Sequence, residues 1–286
     1  MQKLILSSVV LALLALTAMH KPESQARTII TKTLKAIDTH KGCTYTMRSE
    51  ERLVGKSGLR DGNIFTKINV TPRKIYMKMV TDPNKGTEVL YVEGVNENKA
   101  TVNAGKMIPT LKLKTTNSLL TKDQHHTAVT SGFTMVSKIM TDAVKKADAQ
   151  GKFDEVFKYV GDVTWNGRSC YKIVIEDPTY AYVTYTAKKG ENMYTVALKH
   201  LIPEYSMVET SGVKNFEEDL GGKTLKIPNN YAKKTVLYID KENNFPIVQE
   251  MSDEKGDFER YSFSNLVLNP AFKADEFTED FSEYGF

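Results

Sequence analysis

Apolar and polar positions change their period several times along this chain of 286 residues. From Ser24 to Thr39 the apolar positions Ile29, Ile30, Leu34 and Ile37 follow a helical repeat. Short segments of partly alternating character follow: Cys43 to Val54, Gly62 to Val70, Lys74 to Val80 and Glu88 to Val92. Asn98 to Val102 and Thr110 to Leu113 are shorter candidates. The breaks between them carry turn residues: Arg60-Asp61-Gly62, Thr71-Pro72, Asp82 to Gly86 and Gly94 to Glu97. Such a succession predicts an antiparallel meander.

A second helix is predicted from Gly132 to Ala149. Met135, Val136, Ile139, Met140, Ala143 and Val144 form its apolar face, and Lys138, Lys145, Lys146 and Asp148 lie mostly on the other. Strands resume at Val156 to Trp165 and Ser169 to Ile175, joined by the hairpin turn Trp165-Asn166-Gly167. They return at Lys233 to Ile239, Ile247 to Met251 and Glu259 to Leu268. Between Asp177 and Tyr231 the pattern differs. Two short helices, Asn192 to His200 and Pro203 to Ser211, are flanked by short strands at Tyr182 to Ala187 and Thr224 to Ile227. The end strands of such a βααβ unit pair side by side, about 5 Å apart. Two neighbouring antiparallel strands, Lys172 to Ile175 and Val236 to Ile239, can therefore host it in place of a turn. The expected fold class is α+β. Residues 21–178 and 231–286 would form a discontinuous half-barrel with helices on its concave face, and 179–230 an inserted module.

The ends and the charge narrow the setting. Residues 1–20 read as a secretory signal: Lys3 is followed by the apolar run Leu4 to Leu16 and the small-residue exit Thr17-Ala18. An uncleaved N-terminal anchor is the alternative, and no later segment is apolar enough to span a bilayer. The protein is thus expected to be exported, periplasmic or envelope-associated. Net charge is only +4, from 39 Lys and Arg against 35 Asp and Glu. The two signs are interspersed, which argues against nucleic-acid partners. The acidic C-terminal stretch alternates with aromatics and reads as a docked segment rather than a solvated tail. Cys43 and Cys170 are the two cysteines. In an oxidising compartment they could form a disulfide or remain two buried thiols.

Reactive chemistry has no counterpart in the pattern. Leu220-Gly221-Gly222-Lys223-Thr224 lacks the first Gly of a phosphate-binding loop, since that position is Glu217. Nucleophile-elbow, zincin and dinucleotide motifs do not occur. His125-His126 reads as a polar loop, because adjacent residues on a strand would point to opposite faces and share no metal. Asp253 to Asp257 lacks the ligand spacing of a calcium loop. No catalytic residue, metal ligand or cofactor is expected.

Two resemblances add to this reading. Tyr185 to His200, closed by Leu220-Gly-Gly-Lys-Thr-Leu-Lys-Ile-Pro228, resembles a LysM module, the βααβ fold that binds N-acetylglucosamine polymers. The resemblance implies glycan contacts at Gly190, Glu191, Asn192 and Met193, and at Thr210, Ser211 and Gly212. It departs from the usual pattern at Glu191-Asn192 and at Thr210. Tyr238-Ile-Asp240, Phe245-Pro246, Asp253 to Gly256, Tyr261-Ser-Phe263, Asn269-Pro270 and Glu276-Phe277 are similar to the closing strands of LolA- and LolB-type lipoprotein carriers. With Pro72 to Tyr76 and Asn229 to Lys234 they also resemble an exported bacterial family of unknown function, domain family 1571.

The carrier resemblance implies a half-open antiparallel barrel holding acyl chains between sheet and helix. Met135, Ile139 and Met140 would then face the cavity, or else simply plug it as core. The expected function is non-enzymatic: a carrier or sensor of a lipid or lipoprotein acyl chain, with an insert that holds it near peptidoglycan or another N-acetylglucosamine glycan. The alternative is a structural or interaction protein of the envelope with no open ligand site.

Overall fold

The computed structural model describes residues 23–105 and 108–286. The expected export signal, residues 1–20, lies outside them. Strands β1 (Gly42–Arg52), β2 (Leu59–Asn69), β3 (Lys74–Met79), β4 (Glu88–Val92), β5 (Lys99–Asn103) and β6 (Leu111–Lys114) form a meander. Strands β7 (Phe157–Trp165) and β8 (Arg168–Glu176) follow. After the short β9 (Tyr182–Thr186) and β10 (Thr224–Pro228) come β11 (Lys234–Asp240), β12 (Pro246–Asp253) and β13 (Gly256–Leu268). Among the described residues one sheet has 11 strands in the order β6-β5-β4-β3-β2-β1-β13-β12-β11-β8-β7. Every neighbouring pair in it is antiparallel. The join is β13 against β1, with Cys43 opposite Leu268 and Ser49 opposite Tyr261. β6 and β7 are the two edges and do not pair, so the curved sheet is unclosed.

Two helices fill the concave side. α1 (Gln25–Thr39) is capped by Ser24, whose Oγ accepts from Arg27 N–H at 3.3 Å. After the short α2 (Ser118–Thr121), which the apolar pattern does not predict, comes α3 (Phe133–Ala149). Arg27 Nη1 donates to Asp148 Oδ2 at 3.2 Å and ties α1 to α3. Ile29, Ile30, Met140 and Ala147 of these helices pack against Phe157, Ile173, Leu237 and Ile239 of the sheet. A second core joins Phe133, Tyr45, Ile68, Phe245 and Phe263. Val156 ends the short α4 (Phe153–Val156) instead of opening the next strand, which begins at Phe157. Gly132 makes the approach of α3 feasible. Its φ is +86°, and a Cβ there would lie 2.6 Å from Ile68 Cδ1.

Outside the curve, the aromatic C-terminal stretch docks on β2–β4. Tyr284 stacks on Tyr76 with ring centroids 3.7 Å apart, and Lys67 meets Glu276 at 2.7 Å. β9 and β10 pair only with each other, Tyr182 opposite Pro228. Between them lie α5 (Met193–His200) and α6 (Ser206–Ser211). Met193, Val196, Ile202, Met207, Phe216 and Leu225 give this βααβ segment an apolar nucleus of its own. It hangs between β8 and β11, which pair with Lys172 opposite Tyr238. Among the described residues no helix is long and apolar enough to cross a membrane.

Candidate apolar cavity

A cavity of about 490 Å³ lies between α3 and the concave face of the sheet. Strand alternation builds one wall: Met47, Ile64, Met77, Met79, Val89 and Val102 all point inward. α3 builds the opposite wall with Met135, Val136, Ile139 and Met140. Met135, Ile139 and Met140 therefore sit on the cavity surface; Met140 is buried and the other two are half-buried. The rim is also apolar. Leu119 on α2 is 73% exposed; Ile108, just before β6, and Leu111, its first residue, are 51% and 39% exposed. All three line the opening.

One end of the cavity is polar. The inward rows Ser49–Tyr261–Gln249 and Glu51–Glu259–Met251 run across β1, β13 and β12. The segment between α2 and α3 crosses them as a strap. It is held from the sheet side by Arg73, whose Nη2 donates to the carbonyls of Val129, at 3.2 Å, and Ser131. His125 and His126 lie in this strap, in a bend rather than a strand. His125 Nε2–H donates to the Arg52 carbonyl at 2.7 Å, and its Nδ1 lies 2.8 Å from Glu259 Oε1. His126 Nδ1 lies 2.6 Å from Glu204 Oε2, and its Nε2 faces Glu259 Oε1 at 3.2 Å. The Tyr231 hydroxyl donates to Glu259 Oε2 at 2.8 Å, so its oxygen accepts from His126 Nε2–H at 3.0 Å. Tyr261 donates to Glu51 at 3.0 Å, and Arg60 meets the same carboxylate at 2.6 Å.

The electrostatics follow from burial and pairing. Burial alone would lower the His126 pKa, but the adjoining Glu204 and Glu259 carboxylates reverse this and raise it well above the usual histidine value. Burial would likewise raise Glu259; its two histidine partners instead hold it far below the carboxylate range. Burial and nearby carboxylates push the Tyr231 and Tyr261 hydroxyls well up. The ion pair of His126 and Glu259 is the centre of a hydrogen-bonded clamp. Glu204 precedes α6 in the βααβ segment, so the clamp ties that segment to the strap over the cavity. Arg52 adds a second tie, with bidentate contacts to Glu209 at 2.9 Å and to Asp253. Adjacency in sequence hid this arrangement, because Glu259 and Glu204 are remote from the histidines and the strap is not a strand.

The residues expected to touch glycan have internal partners. Met193 is 1% exposed in the nucleus of the βααβ segment, so it faces away from solvent. Asn192 and Thr195 form a reciprocal capping box on α5. Glu191 is held at about 2 by Lys199, Tyr185 and the Lys188 N–H. Thr210 donates to Ser206 O at 2.8 Å, and Ser211 Oγ accepts from Lys226 N–H at 2.8 Å. Gly190 and Gly212 occupy left-handed turn positions, with φ of 81° and 63°. Cys43 and Cys170 are buried free thiols on β1 and β8, with three strands between them in the sheet order, so the disulfide alternative is not realised. Burial pushes Cys43 up to about 12 and Cys170 up to about 11.

Comparison with known proteins gives similar chain paths at low identity. The Mycobacterium tuberculosis lipoprotein LppX is 10% identical, with 87% of this chain and 97% of that chain covered at a TM-score of 0.41. The Pseudomonas aeruginosa MucA/MucB complex is 11% identical, with 89% and 61% covered at 0.40. A LolA superfamily protein from Nitrosomonas europaea is 9% identical, with 90% and 99% covered at 0.30. No curated protein matches the sequence. The family described as "Protein of unknown function (DUF1571)" matches residues 40–204, from the start of the large sheet through the strap and α3 to Glu204, and the chain belongs to it.

Proposed function

We propose that this protein is a non-enzymatic carrier or sensor in the cell envelope that holds the apolar chain of a lipid or lipoprotein between α3 and the sheet. The observation that carries the reading is the cavity of about 490 Å³ walled by methionine and aliphatic side chains. That size is typical of small-ligand sites, which run roughly 300–1,000 Å³. A barrel whose helix simply served as plug would leave no such space. Methionine side chains adapt to tails of different shape, and the exposed rim residues Leu119 and Ile108 give a tail an apolar way in. Export rests on the N-terminal apolar run Leu4 to Leu16. The βααβ segment serves in this reading as a brace on the strap. Its LysM-like character and a hold on peptidoglycan have weaker support, because the loop side chains are engaged internally.

The test is binding of an uncharged apolar dye, N-phenyl-1-naphthylamine, whose fluorescence rises in an apolar site. Saturable binding is expected for the native chain, and a loss of about tenfold or more in affinity for I139W, whose indole fills the cavity. Unchanged binding by I139W would contradict the reading.

A further inference from the structure

A second space of about 360 Å³ lies between α3 and the βααβ segment. Asp142 and Leu201 stand in its wall and also in the wall of the apolar cavity, so the two spaces adjoin. The chemistry of the crevice is different. Thr184, Tyr185, Lys146, Lys199 and His200 face it. We infer that this crevice is the head-group site of the same ligand, and that it takes an uncharged, polyhydroxylated head such as a sugar while the tail lies in the apolar cavity. The inference rests on the carrier reading.

Three observations select that class of head. First, the crevice is charge-balanced. Lys146 Nζ lies 2.8 Å from Asp142 and donates to the Asn229 carbonyl at 2.9 Å. Lys199 Nζ lies 2.8 Å from Glu191 and donates to the Tyr185 hydroxyl at 2.8 Å. Each ammonium already faces a carboxylate, so a phosphate or carboxylate head would have to compete with Asp142 and Glu191 for it, whereas an uncharged head would not. Second, His200 lines the crevice, and its Nε2 is shielded from solvent with no partner, so a ligand hydroxyl that reached it would satisfy an orphaned group. Burial and the neighbouring Lys199 lower its pKa, so it is a neutral ring. A neutral imidazole exchanges hydrogen bonds with hydroxyl groups in either sense. Third, Tyr185, set edge-to-face with His200 at 4.7 Å, and Leu201 supply flat and apolar surface beside these polar groups. That mixture matches a sugar ring, which has hydroxyls at its edge and C–H groups on its face. Leu201, shared by both spaces, marks where head and tail would meet.

The experiment measures calorimetric binding of three amphiphiles with the same dodecyl tail, each below its critical micelle concentration. They are dodecyl maltoside, a dodecyl polyoxyethylene ether and dodecyl phosphate. The native chain should bind the maltoside about tenfold more tightly than the ether and more tightly than the phosphate. T184W, at an exposed strand position, fills the crevice without touching either core, and H200A removes the ring. Both should erase the advantage of the maltoside and leave ether binding unchanged. Equal affinity for maltoside and ether in the native chain, a preference for phosphate, or a maltoside advantage that survives T184W would each overturn the inference while leaving the carrier reading intact. Binding of none of the three would overturn both.

Discussion

His126 and Glu204 meet at 2.6 Å although they belong to parts of the chain that share no sheet. One lies in the strap over the cavity and the other in the βααβ segment, and Glu204 is 1% exposed. Removing Glu204 leaves His126 with Glu259 as its carboxylate partner but orphans the buried Nδ1–H, at a cost of about 1–3 kcal/mol. E204A is therefore expected to destabilise the fold by that order, read from denaturant unfolding. The added amide exchange should concentrate in residues 122–132 and 203–212. Exchange spread evenly over the large sheet would contradict a local clamp.

His126 and Glu259 set a pH dependence. Because the His126 pKa is raised on folding, its stabilising contribution is complete below the unfolded value of about 6.5 and is lost as pH rises through the folded value. Glu259 has the opposite sign. Its contribution is present above the unfolded carboxylate value of about 4.3 and is lost as pH falls through its depressed folded value. Imidazole NMR shifts should show His126 still protonated at pH 7.5. A midpoint for His126 at or below about 6.5 would refute the assignment.

Gly132 lets α3 drop onto the sheet through a left-handed turn that brings its Cα against Ile68. G132A adds a strained positive φ, about 1–2 kcal/mol, to a clash with a buried side chain. Thermal unfolding should report a loss of at least that size. A neutral or stabilising result would contradict the positive φ and the close Ile68 contact at this turn.

The two thiols give a simple chemical check. Cys43 and Cys170 are buried, with pKa values pushed up to about 12 and about 11. Thiolate is the reactive form, so both should resist a disulfide reagent in the native protein. Two equivalents should react once the chain is unfolded without reductant. Zero equivalents in the unfolded protein would show a disulfide.

The large architecture was legible because it rests on local period. Alternation in Lys74 to Met79 and the apolar face Met135–Ile139–Met140 both follow from which side of an element meets the core. The polar end of the cavity was not legible. Strand logic sends His125 and His126 to opposite faces, but Asp123 has a φ of 57° and the pair lies in a bend, so both rings turn toward Glu259. That carboxylate is 134 positions from His125, a separation that periodicity cannot register. Short rim elements such as Ser118–Thr121 carry too few residues to show a repeat. Asn192 and Ser211 illustrate a different point: a polar loop residue serves equally well as ligand contact or as cap and turn chemistry, and here the partners are Thr195 and Lys226 of the same segment.

The most direct measurement is photo-crosslinking with an uncharged amphiphile carrying a diazirine at the end of its tail, followed by peptide mapping. Adducts are expected on the α3 segment 135–140 and on the inward strand residues Met77, Met79 and Val89. Adducts confined to outward-facing apolar residues such as Val160 and Val267 would contradict it.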